Sequence, residues 1–445
     1  MAKKSFWKNA FFPLMSLVIF ATLFASMLVV RSGLPAKPLI SFSSGLLAYS
    51  MMLTVTFMAS RPRFIEKHIG LPKMYEIHAL MAVVLCVTGL LHVILQWNGF
   101  ANMFNIIDQS NLSTTGFIAV FSLILVMFTG IFSLSGVFVN HNPKLRAFKN
   151  KQNREASLWI HRLAIVAIIA IYLHIFLLGF GGIFQLLITA YTVLVLGYYA
   201  YWKWSIATSD KYTVSVIERL RHDVWRLVLT PKNGKTKHYR PGDYFFVRML
   251  DNTLTREGHP FSTTSANTDQ NMEFMIKEDG DWTGQLDKVS VGNTVTLEGP
   301  HGNYFPERLD SEPVDTKPFV LLSGGIGVTP NLSIARHELA QHTQREIHFV
   351  WGLAIEKDIF LLQELEEIKA KNPNFSYHLI FSNEAVEGYD QGFITSDYLA
   401  KIGADLFQTA EFFVCGPPPM LTAAQEMLAK EQVDPERIHI DEFGF

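Results

Sequence analysis

Long apolar runs fill the first 205 positions of the chain and stop there. They recur at roughly 10–30, 38–59, 76–97, 115–139, 157–179 and 183–204, each near the ~20 residues a helix needs to cross a bilayer's hydrocarbon core. The gaps between them are short, so the pattern predicts a bundle of six transmembrane helices over residues 1–206. The run from Phe11 to Val30 counts as the first span and not as a signal peptide, since no small-residue cleavage site follows it. From Tyr212 the pattern changes to short alternating runs, Tyr212 to Arg219, Val224 to Thr230 and Tyr244 to Met249, parted by turns at Asn233-Gly234 and Pro241-Gly242. That alternation predicts a small antiparallel β-barrel, over 207–312. Beyond Lys317 the order becomes strand, glycine turn, helix, strand, which predicts a parallel α/β domain over 313–445, with the boundary in the polar stretch 310–316.

Basic residues give the bundle a direction. Lys3, Lys4 and Lys8 precede the first span, Arg61, Arg63, Lys67 and Lys73 lie between the second and third, and Lys144, Arg146, Lys149, Lys151 and Arg154 between the fourth and fifth. Segment 97–114 and the turn 180–183 carry none, and only Arg31 and Lys37 fall between the first two spans. Cytoplasmic loops concentrate Lys and Arg, so both termini and the whole C-terminal half are expected in the cytoplasm. A net charge of −2, from 38 basic and 40 acidic residues, argues against nucleic acid as a partner, since duplex binding needs a basic face. Cys86 and Cys415 are the only cysteines, which excludes a disulfide framework and any four-cysteine zinc or iron–sulfur site.

Four histidines lie inside predicted spans, where an ionisable group is costly and marks function. His78 and His92 are on the third, His161 and His174 on the fifth. Separations of 14 and 13 residues each correspond to about 20 Å along a helix. The two spans run the same way, so His78 should face His161 near the inner boundary and His92 should face His174 near the outer one. Two stacked bis-histidine sites of this kind suit two haems. Thirteen residues are about 140° out of phase on an ideal helix, so the fifth span needs a local π-type distortion or a tilt to aim both rings inward. Hydrogen-bonded polar residues within the bundle, a proton relay and a single metal ion are the other readings, though ligands of one ion cannot stand about 20 Å apart. His68 and His141 fall in loops and read as surface residues.

In the C-terminal half, His259-Pro260-Phe261-Ser262-Thr263-Thr264-Ser265 places an aromatic ring before four hydroxyl residues. Phe274 to Thr283 and Glu298 to Gly302 add Lys277 and a glycine-containing turn. A flavin needs such a flat slot with hydroxyl and backbone donors, although a hydroxyl-rich strand with a wet face has the same look. Strand Phe319 to Leu322 runs into Ser323-Gly324-Gly325-Ile326-Gly327-Val328-Thr329-Pro330 and a helix, and strand Glu411 to Val414 ends in Cys415-Gly416-Pro417-Pro418-Pro419. Glycines after a strand admit a pyrophosphate to backbone donors, and a cysteine at a strand's end sits well beside a nicotinamide. A buried small residue is the plain alternative for Cys415.

Together these pieces resemble the ferric reductase and NADPH oxidase superfamily over nearly the whole chain. His78, His92, His161 and His174 match its haem ligands in order, residues 259–265 look like its flavin signature, and 324–330 and 415–419 look like its pyridine-nucleotide signatures, shared with ferredoxin-reductase-like modules. The terminal Asp441-Glu442-Phe443-Gly444-Phe445 is similar to the segment whose ring covers the isoalloxazine, with Phe443 the first choice and Phe445 the second. The resemblance implies a multi-domain protein of a bacterial inner membrane: a six-helix haem bundle, an FAD-binding antiparallel β-barrel and an NAD(P)H-binding α/β domain. Electrons would pass from NADPH (or NADH) to FAD, to a haem b at His78 and His161, to a second haem b at His92 and His174, and outward. Residues 259–265 and Lys277 would hold FAD, and Gly324, Gly325, Gly327, Thr329, Pro330, Gly416 and Pro417 the nucleotide. Cys415 would sit at the nicotinamide, and Arg154, Arg162 and Lys73 are candidate partners for haem propionates. Where a 2′-phosphate is often met by an arginine, after Trp351, the chain has Gly352-Leu353-Ala354-Ile355-Glu356-Lys357, leaving Lys357 or Arg336 to serve. Molecular oxygen reduced to superoxide, a ferric chelate, or a periplasmic partner protein are the possible acceptors. A haem-binding sensor would have no use for the nucleotide and flavin signatures. The outer segment 97–114, with one acid (Asp108) among amides, lacks a strong grip for iron and favours oxygen.

Overall fold

The computed structural model describes residues 2–96, 111–134, 139, 142–151, 154–251, 253–311, 317–341 and 344–442 of the 445. Phe443, Phe445, His141, segment 97–110 and the boundary residues 312–316 lie outside the described residues, and so does the side chain of Arg154. The chain divides into two compact units, Met1–Ala207 and Thr208–Gly444.

Six helices of the first unit are long and apolar enough to cross a membrane: Asn9–Val30, Ala36–Ala59, Leu71–Gln96, Thr114–Leu134, Glu155–Leu177 and Gly182–Ala207. The third begins earlier than its apolar run because Leu71 and Met74 are buried beside a short helix, Arg63–Ile69, that leads into it. The second span packs on the third, the fourth on the fifth, and the first on the second and sixth, while the third and fifth make no comparably extensive contact with each other. Hydroxyls inside the second span are satisfied by its own carbonyls, Ser50 donating to Leu46 O at 2.8 Å and Thr54 to Ser50 O at 2.9 Å. This is how polar side chains are kept in hydrocarbon without an unpaired donor. Tyr49 and Thr192 share a hydrogen bond of 2.7 Å between the second and sixth spans.

The fifth span is distorted between its histidines, by a break with a tightened turn and not by the π-type turn that the spacing suggests. Its helix Arg154–His161 ends at the histidine and a second, Ala164–Leu177, resumes after a two-residue turn. At the turn Leu163 N–H bonds Ile160 O and Ile165 N–H bonds Arg162 O, three residues back and not four. The break alters the phase of the helix between His161 and His174, and the ring of each lies beside a histidine of the third span. The fourth span carries a π-helical turn of its own, Gly130–Leu134, whose Gly130 lies against His161.

The second unit holds two six-stranded sheets. The first is antiparallel: β1 (Lys211–Arg221), β2 (Val224–Pro231), β3 (Tyr244–Met249), β4 (His259–Ser262), β5 (Met272–Lys277) and β6 (Thr294–His301), in the order β4-β3-β6-β1-β2-β5. Its edge strands meet through one bridge, Thr263 to Phe274, and not through a ladder. Tyr212, Leu227, Phe245, Phe274 and Leu297 fill its interior. The second sheet is parallel: β7 (Phe319–Gly324), β8 (Ile347–Leu353), β9 (Phe375–Phe381), β10 (Asp390–Gln391), β11 (Glu411–Cys415) and β12 (Ile438–Asp441), in the order β10-β9-β8-β7-β11-β12. Helices cover both of its faces, so its strands read as continuous apolar runs, which is why Phe319–Leu322 and Phe412–Val414 lack alternation. The outward order on each side of β7 makes this a doubly wound sheet with its switch point between β7 and β11.

One buried charge pair braces this sheet. Arg345 and Glu338, with side chains 5% and 7% exposed, bond at 2.7 Å; the guanidinium also donates to Lys317 O at 2.8 Å and lies 4.0 Å from the Phe319 ring centre. Glu338→Ala strands the buried cation and should cost about 3–5 kcal/mol. The unfolding midpoint of the second unit, read by scanning calorimetry of the whole protein, should fall accordingly. The Glu338→Leu, Arg345→Met double variant should recover most of that loss.

Candidate functional site

The four intramembrane histidines form two pairs. Ring centres of His78 and His161 are 6.4 Å apart, and those of His92 and His174 also 6.4 Å. A metal–nitrogen bond is about 2.0–2.1 Å and an imidazole centre lies about 1.1 Å behind its nitrogen, so two imidazoles trans on one iron have centres about 6.3 Å apart. The His78 Nδ1–H donates to Val55 O at 3.2 Å, that of His92 to Ser41 O at 2.8 Å and that of His161 to Val126 O at 3.1 Å. A carbonyl can only accept, so each ring carries its proton on Nδ1 and keeps the Nε2 lone pair for a metal. Glycines give the rings room. A Cβ on Gly45 would stand 2.8 Å from His92 Nδ1, one on Gly130 3.2 Å from His161 Cε1, and one on Gly116 3.4 Å from His174 Nδ1. Among the described residues no group of three or more His, Cys, Asp and Glu gathers to hold an ion. A pair of imidazoles is enough only for an ion whose other ligands arrive with it, as in haem. Of the candidate propionate partners, Lys73 pairs with Glu76 at 2.7 Å and the Arg162 guanidinium lies 4.3 Å from the Trp159 ring centre.

In the second unit β4 lies along β3, with Ser262 opposite Tyr244 and His259 opposite Val247. The hydroxyls of the signature divide sharply. Thr263 Oγ1 donates to Asp243 O at 3.1 Å, Thr264 Oγ1 to Glu273 Oε1 at 2.8 Å, and Ser265 Oγ shares a 2.9 Å bond with Tyr239 OH. These serve the fold. Ser262 Oγ is buried with no partner among the described residues, an orphan that a buried hydroxyl does not tolerate without a ligand or water. It is the one hydroxyl of the four that the fold leaves over. His259 stacks on Trp282 at 4.6 Å, and Phe261 lies 5.8 Å from the same indole; Trp282 falls within the stretch Phe274 to Thr283 that the sequence singles out. Lys277 is exposed at the end of β5, 4.0 Å from Asp223.

The two glycine turns of the parallel sheet meet backbone to backbone. A Cβ on Gly327 would lie 2.4 Å from Cys415 O, so only glycine fits between β7 and β11 there. Gly325 takes φ +54, and its carbonyl accepts from Trp351 Nε1 at 2.9 Å. Thr329 Oγ1 closes the turn onto Ile326 O at 3.2 Å, and Pro417 and Gly416 pack against Gly324. Cys415 is fully buried; burial pushes its thiol well up, with the Asp441 carboxylate adding to the effect, so it stays protonated. It offers shape, not nucleophilicity. Tyr304 OH donates to Asn331 Oδ1 at 2.7 Å, and Asn331 Nδ2 to Ser323 Oγ at 2.8 Å, pinning the turn from beneath. Spacing could not have paired Tyr304, just after β6, with Asn331 on the helix 27 residues on.

One face of the helix Val328–Ala340 then reaches the flavin segment. Ser333 Oγ donates to Ser265 O at 2.7 Å, Arg336 Nη1 to Thr264 O at 2.9 Å and to Glu273 Oε1 at 2.7 Å, and His337 Nδ1 to Asn267 Oδ1 at 2.6 Å. The remainder of the Arg336 guanidinium meets Glu364 at 2.5 Å. Arg336 is therefore occupied in structure and is not the 2′-phosphate cation that the sequence allowed. Burial would raise the Glu273 carboxyl, but the charge and hydrogen bonds of Arg336 outweigh it and hold it below the usual range. Burial alone pushes His337 down to about 4, so it sits neutral in this contact.

Residues 207–329 match a family model described as an FAD-binding domain, and residues 321–426 one described as an oxidoreductase NAD-binding domain. The reductase component of propane 2-monooxygenase from Rhodococcus jostii (strain RHA1) is 30% identical over 240 residues, 52% of this chain and 62% of that protein. A ferredoxin–NAD(P)(+) reductase component of the naphthalene 1,2-dioxygenase/salicylate 5-hydroxylase systems, from a Ralstonia species, is 30% identical over 239 residues, 52% of this chain and 68% of that one. This chain thus spans about two thirds of the length of these curated relatives. Among solved structures, the Amycolatopsis cytochrome P450 reductase GcoB aligns at 25% identity and a TM-score of 0.47, over 53% of this chain and 69% of its own.

The neutral His337 predicts an acid-side loss of stability. Its folded pKa of about 4 lies below the unfolded value of 6.5, so its contribution is whole above pH 6.5 and is lost as the unfolded state protonates down to pH 4. The loss approaches at most about 3 kcal/mol. His348 and His378 are shifted the same way, so His337→Gln should remove a share of the decline in melting temperature between pH 6.5 and 4.5, not all of it. A decline identical in wild type and variant would exclude His337 as a source.

Proposed function

Because the chain belongs to the ferric reductase and NADPH oxidase superfamily through its ferredoxin-reductase-like module, we propose that it carries electrons from cytoplasmic NAD(P)H across a membrane to an acceptor outside. That it is an oxidoreductase using NAD(P)H and FAD rests on the two matched domains. The observation that carries the transmembrane step is the pairing of histidines from the third and fifth spans at a centre-to-centre distance of 6.4 Å, twice over. His78 with His161, and His92 with His174, would hold two b-type haems through Nε2. When bound, FAD takes two electrons together and releases them singly, and haem carries one, which is the conversion such a path needs. The glycine turn 324–327 would receive the nucleotide's pyrophosphate, Cys415 would flank the nicotinamide, and Ser262 would donate to the flavin. The six-stranded antiparallel sheet is read as the barrel of this module, opened at one edge. The acid-poor outer segment supports molecular oxygen as acceptor and superoxide as product, with both termini in the cytoplasm by the charge of the loops. Ferric-chelate reduction and donation to a periplasmic protein share every feature of the inner path and differ only outside.

Detergent-purified protein should contain two haems b and one FAD, and anaerobic addition of NAD(P)H should reduce both haems in a reduced-minus-oxidised spectrum. Flavin without haem would end the transmembrane reading. With oxygen as sole acceptor, steady turnover is expected, with superoxide revealed by a probe signal that superoxide dismutase abolishes; turnover with a ferric chelate alone would reassign the acceptor.

His92→Ala should remove one haem and stop delivery to the outside while leaving dye reduction by the second unit intact; retention of both haems would break the pairing. Gly45→Ala drives a methyl into the His92 ring and should produce the same deficit in milder form. Gly197→Ala, in a span position with open space around it, should leave haem content unchanged.

A further inference from the structure

We propose that the chain selects NADH over NADPH, and that Glu384 and Glu356 are the residues that discriminate; the proposal rests on the reading of the second unit as a nicotinamide-dependent reductase. In a doubly wound sheet the dinucleotide crosses the C-terminal ends of the strands. At the end of the strand after the glycine turn, an acidic side chain takes the ribose 2′-hydroxyl, and a cation takes a 2′-phosphate. Here that strand is β8, fixed to the turn by the Trp351–Gly325 hydrogen bond of 2.9 Å.

Beyond β8 the chain runs Ala354-Ile355-Glu356-Lys357-Asp358. It is stitched to the turn after β9: Ser382 N–H donates to Leu353 O and Asn383 N–H to Ala354 O, both at 3.0 Å. The Glu384 carboxylate accepts from the Glu356 N–H, which brings two carboxylates to the same corner of the sheet. Asp358 adds a third acid, and its charge is matched by Arg221, which is itself held by Asp223 at 2.6 Å. The cation that the preceding helix offers, Arg336, is bound to Glu273, Glu364 and Thr264 O. Lys357 is exposed and flanked by Glu356 and Asp358. A phosphate there brings about −1.5 to −2 of further charge at pH 7, and like charges brought together across a binding surface are a strong means of rejection. A ribose hydroxyl, in contrast, can donate to Glu384 or Glu356.

The test uses the full-length protein under anaerobic conditions. Reduction of its bound flavin is followed by rapid mixing with NADH and with NADPH, and competition is measured with 5′-AMP and 2′,5′-ADP. The expected result is a second-order constant at least about tenfold larger for NADH, and 5′-AMP as the stronger competitor. Glu384→Arg and Glu356→Arg should each move the ratio toward NADPH at unchanged FAD content. A wild type that prefers NADPH or treats the two alike overturns the proposal, as does an unchanged ratio in both variants. Absence of flavin reduction with either nucleotide would overturn the reductase reading itself, and this proposal with it.

Discussion

An imidazole N–H buried in hydrocarbon has to find an acceptor, and in this protein the acceptor is a main-chain carbonyl of a neighbouring helix. Val55, Ser41 and Val126 supply it to His78, His92 and His161. Once that bond is made, the tautomer follows, and with it the direction of the remaining lone pair. The surrounding bundle can be understood as what is needed to allow it. Gly45 and Gly130 bring the carbonyl-bearing helices close to the rings, the fifth span breaks after His161, and the third and fifth spans lean on the second and fourth in preference to each other. Those two helices stay apart while their histidine rings lie side by side between them.

The second unit solves a different problem, that of keeping two binding segments from separate sheets in register. It does so with one helix. Val328–Ala340 starts at the glycine turn, and its Ser333, Arg336 and His337 hold the segment just after the flavin signature. Ion pairs of this kind contribute little on a surface, but here Glu273 is 8% exposed and Arg336 21%, and the pair extends into a network, Glu273 also meeting Arg226 and Arg336 meeting Glu364. The arrangement commits the Arg336 guanidinium to Glu273 and Glu364.

Much of this was legible in the residues. Six spans, the pairing of histidines on the third and fifth, and the phase error of a 13-residue spacing all follow from helix geometry applied to apolar runs. The resolution of that error was legible only as a need, because a break after His161 and a π-turn at Gly130–Leu134 depend on packing between helices that no local pattern encodes. In the flavin signature, composition suggested four hydroxyls with one job. The fold gave three of them to Asp243, Glu273 and Tyr239 and left Ser262. Tyr304 and Asn331 escaped notice because they bond each other across 27 residues of chain, and Arg336 stood beside Lys357 as a candidate cation because a basic residue near a nucleotide motif looks the same whether it awaits a phosphate or is already paired.

The contact between Gly327 and Cys415 O joins two turns that lie almost ninety residues apart in the chain. With no side chain between them, there is nothing to absorb a shift of a few tenths of an ångström in either. They therefore form one inherited unit: recombination between β7 and β11 would set a turn from one parent against a turn from the other across bare backbone. Chimeras of this reductase with its relatives keep that seam intact only when the crossover lies outside the interval from β7 to the helix after Pro417.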